Sequence, residues 1–175
     1  MQSQKYTQNQ GFTLLETIVV IVIVFIMIGI AIPAGRNTID HMRIKTTADQ
    51  IKSVLKVAQS KAMADPQIHC GVYLFPGTGS SSSYAKKEYA IFFDMNNNSV
   101  YNSGVDNFYL GTRSLPPGIT LTIPSTGGIT DNVVVFRGDG SAKFGGSVVL
   151  VSAMGRRDSI HILPSTGRIK TFLKK

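Results

Sequence analysis

Gly11-Phe12-Thr13-Leu14-Leu15-Glu16-Thr17 leads without a break into the apolar run from Ile18 to Ile32. Between Phe12 and Ile32 only Thr13, Glu16 and Thr17 are polar. Wound as an α-helix, these residues rise roughly 31 Å, enough to cross a hydrocarbon core of roughly 30 Å. A helix buried in a water-soluble core rarely needs an apolar surface all the way round. Residues 12–32 therefore read as a membrane segment.

Working outward, Met1 to Gln10 is polar and rich in Gln, with Lys5 its only charged side chain, and reads as a leader over residues 1–11. An ordinary secretory signal fits poorly. It would have a basic start, an apolar core of roughly 7 to 15 residues and a small-x-small cut site, whereas Ala31 and Ala34 stand three apart. A plain membrane anchor, with Glu16 at the interface, is the other reading. Arg36, Arg43 and Lys45 follow the span while only Lys5 precedes it, so loop charge gives no support for a cytoplasmic N-terminus.

Past the span, Pro33 removes a backbone donor and Gly35 costs about 1 kcal/mol against Ala, so a bend at Pro33 is expected. Helical periodicity then returns. Ile51, Val54, Leu55, Ala58 and Ala62 recur on one face, with Lys45, Lys52, Lys56 and Lys61 on or beside the other, until Asp65-Pro66 stops the helix near Ala64. From Cys70 the pattern becomes short β-like runs: 72–75, 89–93, 119–123, 133–137, 148–152, 159–163 and 168–173. Turn residues separate them at Gly77 to Ser83, Leu115 to Gly118, Gly127-Gly128, Gly138 to Gly140 and Gly145-Gly146. The expected fold class is α+β: a long N-terminal helix over 12–64, greasy and then amphipathic, and an antiparallel β-rich head over 65–175.

Composition agrees. Of 175 residues, 43% are hydrophobic and 16% charged, below the roughly 25% charged of a typical soluble domain. The net charge of +8 is uneven, since eight basic residues and only Asp139 and Asp158 lie from Arg137 onward. Cys70 stands alone, so no internal disulfide can form.

The hexapeptide Gly11-Phe12-Thr13-Leu14-Leu15-Glu16, its short polar leader and the apolar run behind it resemble the class III signal of type IV pilins and type II secretion pseudopilins. The resemblance implies a type IV pilin-like fold. It also implies cleavage after Gly11 by prepilin peptidase, N-methylation of the new terminus at Phe12, and pairing of Glu16 with the amino terminus of a neighbouring subunit during assembly. Pro33 stands where this family commonly bends its helix. A carboxylate beside a membrane span is costly unless paired or interfacial, which makes Glu16 the candidate assembly residue on physical grounds as well. The implied partners are other pilins or pseudopilins and prepilin peptidase. The implied location is the bacterial inner membrane, crossed once with a periplasmic head, and then a pilus or pseudopilus.

Within that superfamily the head resembles the minor group that includes GspH, FimU and FimT. The likeness lies in the long amphipathic helix, in Ile91-Phe92-Phe93-Asp94-Met95-Asn96-Asn97-Asn98, and in a closing strand begun by Ser165-Thr166-Gly167-Arg168-Ile169-Lys170. A Gly-Arg-x-Arg element of FimT-type pilins is associated with DNA capture. Here it reads Gly167-Arg168-Ile169-Lys170, and Lys lacks the bidentate geometry of Arg. Arg168, Lys170, Lys174 and Lys175 are thus candidate DNA-binding residues. Their alternative is a solvated edge strand whose charges keep it from pairing with other chains.

Other chemistry finds little footing. Asp94, Asn96 and Asn98 have the opening spacing of a calcium loop, but its sixth and twelfth positions are Ser99 and Val105, so no metal site is expected. Arg137-Gly138-Asp139 spells an adhesion tripeptide but reads first as a turn. His41, His69 and His161 are scattered, no catalytic or phosphate-binding motif occurs, and no enzyme activity or cofactor is expected.

Overall fold

The structure, a computed structural model, describes residues 12–74, 88–124 and 128–174. The leader with Gly11, the Gly77 to Ser83 loop, Gly127 and Lys175 lie outside the described residues. Among the described residues, one helix, α1 (Leu14–Ala64), is followed by eight strands: β1 (His69–Leu74), β2 (Glu88–Asp94), β3 (Asn107–Ser114), β4 (Ile119–Thr122), β5 (Val133–Phe136), β6 (Gly146–Ser152), β7 (Arg157–Ile162) and β8 (Ile169–Lys174). The chain forms two compact units, residues 1–39 and Asp40–Lys175.

In the first unit every described side chain from Phe12 to Ile30 is exposed, Phe12 at 82% and Ile30 at 72%. So continuous an apolar surface has no stable place in water, and this is a helix long and apolar enough to cross a membrane. The backbone stays helical through Pro33 and Gly35.

The second unit is built around the amphipathic part of α1. Ile44, Ala48, Ile51, Val54, Leu55, Ala58 and Ala62 are all buried; the last five are the face expected from their spacing, and Ile44 and Ala48 extend it. They share one core with the inner faces of two antiparallel four-stranded sheets, ordered β3-β2-β1-β5 and β4-β6-β7-β8. The first sheet contributes Cys70, Val72, Leu74, Ile91, Val134 and Phe136; the second contributes Ile119, Leu121, Val148, Leu150, Ile160 and Ile162. The α+β class and the antiparallel head are as expected.

The first sheet is buried on both faces. Phe92, Val133 and Val135 form a small second core on its outer side, packed by Tyr73 and Tyr101. Tyr101 belongs to the segment between β2 and β3, which folds back so that its ring stacks between Tyr73 and Phe108, both at 4.9 Å. β3 is a strand the sequence did not announce. Its pairing with β2 slips twice, between Tyr89 and Ile91 and again between Ile91 and Phe92, so Phe108, Leu110 and Arg113 do not fall on a period of two.

Candidate functional site

At the start of α1, the Thr13 hydroxyl accepts the Glu16 backbone N–H at 3.2 Å. Its carbonyl takes the Thr17 backbone N–H at 3.2 Å and the Thr17 hydroxyl at 3.3 Å. Thr13 is thus an N-cap and Glu16 the third helical residue, the Thr-x-x-Glu spacing of a capping box. The sequence carried that spacing, though the resemblance drew attention to Glu16 alone. Glu16 is exposed in the first helical turn, where the helix dipole favours a carboxylate. Phe12 precedes the cap as an exposed residue.

The basic C-terminal residues are brought to the edge of the second sheet. Arg168 is exposed and immediately precedes β8, the sheet's last strand. Antiparallel register sets Lys170 opposite His161, Phe172 opposite Ser159 and Lys174 opposite Arg157. Arg157, Ser159 and His161 alternate with the core-facing Ile160 and Ile162, so they share the outer face with Lys170 and Phe172. Phe172 is 51% exposed there and meets the His161 ring edge-to-face at 5.1 Å. His161 is held from both sides, Nδ1 at 2.9 Å from the Ser147 hydroxyl and Nε2 at 3.2 Å from that of Ser159. Arg157, His161 and Phe172 were missed at the sequence level. Only the strand register reveals them as neighbours of Lys170 and Lys174.

Gly167 has a structural duty. Its φ is +59°, and a Cβ there would run into the Gly140 carbonyl and the Gln59 amide. Gln59, on α1, donates to the carbonyls of Gly140 at 2.7 Å and Gly167 at 3.3 Å, fixing the turn from which β8 departs.

The Asp94 loop is organised as a turn. Asp94, with no exposed surface, accepts the backbone N–H of Asn98 at 3.1 Å and of Ser99 at 2.7 Å. Asp106 accepts those of Met95 at 3.0 Å and Asn102 at 2.6 Å. All four carboxylate oxygens serve the loop's own backbone. Among the described residues, no three His, Cys, Asp or Glu side chains gather as a metal site. In Arg137-Gly138-Asp139, the Asp139 carboxylate accepts both the backbone N–H (2.8 Å) and hydroxyl (2.6 Å) of Ser141, and these bonds hold its pKa down. A Cβ on Gly138 would meet Pro66 at 2.6 Å. That tripeptide is a packed turn.

Residues 6–32 match the family described as the prokaryotic N-terminal methylation motif. No curated protein matches the sequence. Among solved structures, the crystal structure of the type IV minor pilin FimU from Pseudomonas aeruginosa strain PAO1 is similar over 77% of this chain and 90% of that one, at 16% identity and a TM-score of 0.49. The exposed apolar helix, capped by Thr13 and carrying Glu16 in its first turn, thus begins within the stretch that matches the prokaryotic N-terminal methylation motif.

Proposed function

We propose that this protein is a minor pilin or pseudopilin, a structural filament subunit of a type IV pilus or type II secretion pseudopilus. Prepilin peptidase cuts it after Gly11 and Phe12 becomes the N-methylated terminus. It waits in the bacterial inner membrane, spanning it once with the head in the periplasm, until other pilins draw it into a filament. The observation that carries this reading is the exposed apolar surface from Phe12 to Ile30 within the stretch that matches the methylation motif. Such a surface is satisfied by lipid or by the same surface of neighbouring subunits, and cleavage before Phe12 keeps it on the mature chain. Pro33 is the proposed bend and Glu16 the residue that pairs with a neighbour's terminus.

The test is co-expression with prepilin peptidase, followed by mass spectrometry of the mature N-terminus and a count of the subunit in sheared filaments. A methylated Phe12 terminus is expected, and Glu16→Ala should reduce incorporation without stopping cleavage. An intact leader, or normal incorporation of the variant, would overturn the corresponding part.

A second reading is favoured by the outer face of the second sheet, where Lys170 and the exposed Phe172 lie two residues apart on β8 and Arg157 lies two residues from Ser159, the partner of Phe172. A basic row with an aromatic platform suits nucleic acid, through salt-sensitive phosphate contacts and base stacking. On this reading the subunit captures DNA through Arg168, Lys170, Lys174 and Lys175. Fluorescence anisotropy across a salt series, with an Arg168→Ala/Lys170→Ala variant beside the wild type, tests it. Steep salt dependence that the variant loses supports DNA capture; no binding by either leaves β8 as a charged edge.

A further inference from the structure

Asp40 opens the second unit, and the turn between β6 and β7 is fastened to it. The Ser152 hydroxyl donates to the Asp40 carboxylate at 2.6 Å, the Arg156 guanidinium lies 3.8 Å from the same oxygen, and the Arg156 backbone N–H donates back to the Ser152 hydroxyl at 3.2 Å. This lock fixes where the turn Ala153-Met154-Gly155 stands in the head.

The turn itself is exposed throughout. Met154 is 50% exposed, the Arg156 side chain 45% exposed, and Arg157 follows in the open. Gly118, whose Cβ position is 3.5 Å from the Ala153 Cβ, and Pro117 continue the surface with uncharged groups. Of the nearby acids, Asp40 is engaged in the lock and Asp158 is only 3% exposed. What the end of the head presents is an apolar tip flanked by two arginines.

Little chain separates the lock from the apolar run, since Asp40 follows Ile32, the last residue of that run, by eight residues. Charged surfaces act over roughly 8–10 Å at physiological salt. Lipid phosphates are anionic, and guanidinium groups take phosphate oxygens in pairs. We infer that the β6–β7 turn is a membrane-surface contact, in which Arg156 and Arg157 engage anionic phospholipid headgroups and Met154 dips into the interface while the subunit is held in the membrane. The inference rests on the membrane-anchored reading of residues 12–32. It gives the head a docked state before assembly, held by charge and released when a neighbouring subunit takes the helix.

The chain contains no tryptophan, so Met154→Trp supplies a single fluorescent reporter at the tip. The full-length protein carrying it is reconstituted into vesicles of phosphatidylcholine, alone or mixed with phosphatidylglycerol, containing lipid brominated near the headgroup end of its acyl chains. Quenching at least about twofold stronger in the anionic vesicles is expected, weakened by molar salt and abolished by Arg156→Gln/Arg157→Gln. Leu163→Trp, just past the opposite end of β7 and 37% exposed in the native chain, should not respond. Equal quenching in neutral and anionic vesicles overturns the inference. So does a response that follows protein density instead of lipid charge, which would assign the turn to a second copy of the chain. Alkaline extraction of the same vesicles separates the two levels. A chain that washes out defeats the membrane-segment reading and this inference with it, whereas a retained chain with a silent reporter defeats this inference alone.

Discussion

The side-chain amide of Gln59 donates to the carbonyl of Gly140 at 2.7 Å, joining α1 to a β turn 81 residues away in the chain. The same nitrogen reaches Gly167 at 3.3 Å, so one helix side chain holds two glycine turns together. Both glycines have positive φ, +80° and +59°, which lets their backbones come close enough to share it.

Gln59→Ala should therefore cost the head about 1–2 kcal/mol, because two carbonyls lose their donor. Gly167→Ala should cost more, since its methyl would meet the Gly140 carbonyl and its backbone would sit in the left-handed region. Urea unfolding of a soluble fragment beginning at Asn37 measures both. If Gly167→Ala is neutral, Gly167 serves the basic strand by something other than packing.

How much of this could be read beforehand follows the range of each interaction. The buried face of α1 is local, and its spacing from Ile51 to Ala62 identified it. The end of the helix at Asp65-Pro66 and most strands were similarly local. β3 was not, because a doubly bulged edge strand containing Gly111 keeps no period of two, and its identity depends on pairing with β2. Nor could the sequence place Tyr101 between Tyr73 and Phe108, or set His161 opposite Lys170 and Arg157 opposite Lys174. Those are register facts, decided by residues far apart in the chain.

The loop from Met95 to Val105 hangs on two carboxylates. Replacing Asp94 by Asn turns one acceptor into a donor facing a backbone N–H, in a site with no exposed surface, and should cost about 2 kcal/mol. Asp106→Asn should behave alike. The double variant should lose less than the sum, because both anchor one loop. Near-ultraviolet circular dichroism should weaken in each, since the loop carries Tyr101 into its aromatic stack. Unchanged spectra would mean that the stack holds without the anchors.

Cys70 is fully buried in β1, and burial pushes its thiol up to about 12, with the nearby Lys61 ammonium pulling only weakly against it. At pH 8 about one thiol in ten thousand is ionised, and alkylating agents attack the thiolate. Iodoacetamide should leave the native head unlabelled and label the urea-unfolded chain within minutes. Comparable labelling rates in the two states would mean that β1 opens readily and that Cys70 is a reactive group instead of core.

Asp158 faces the helix from β7, only 3% exposed, with Oδ1 lacking any hydrogen-bond partner. Burial raises its pKa first of all, and the Asp49 carboxylate adds to the rise, while the Ser159 backbone N–H and His41 oppose it. A carboxyl whose pKa is raised by folding stabilises the head while protonated. That contribution is complete below its unfolded pKa, near 3.9, and is lost as pH rises through the higher folded value. At neutral pH the folded head therefore carries a penalty, which Asp158→Asn removes by about 1 kcal/mol, while near pH 3 the two proteins should be equally stable. Thermal unfolding from pH 3 to 7 measures the difference. A gap between variant and wild type that widens with pH is the expected result. A gap that narrows would mean that the Asp158 carboxylate is stabilised by its surroundings, and that His41 outweighs burial.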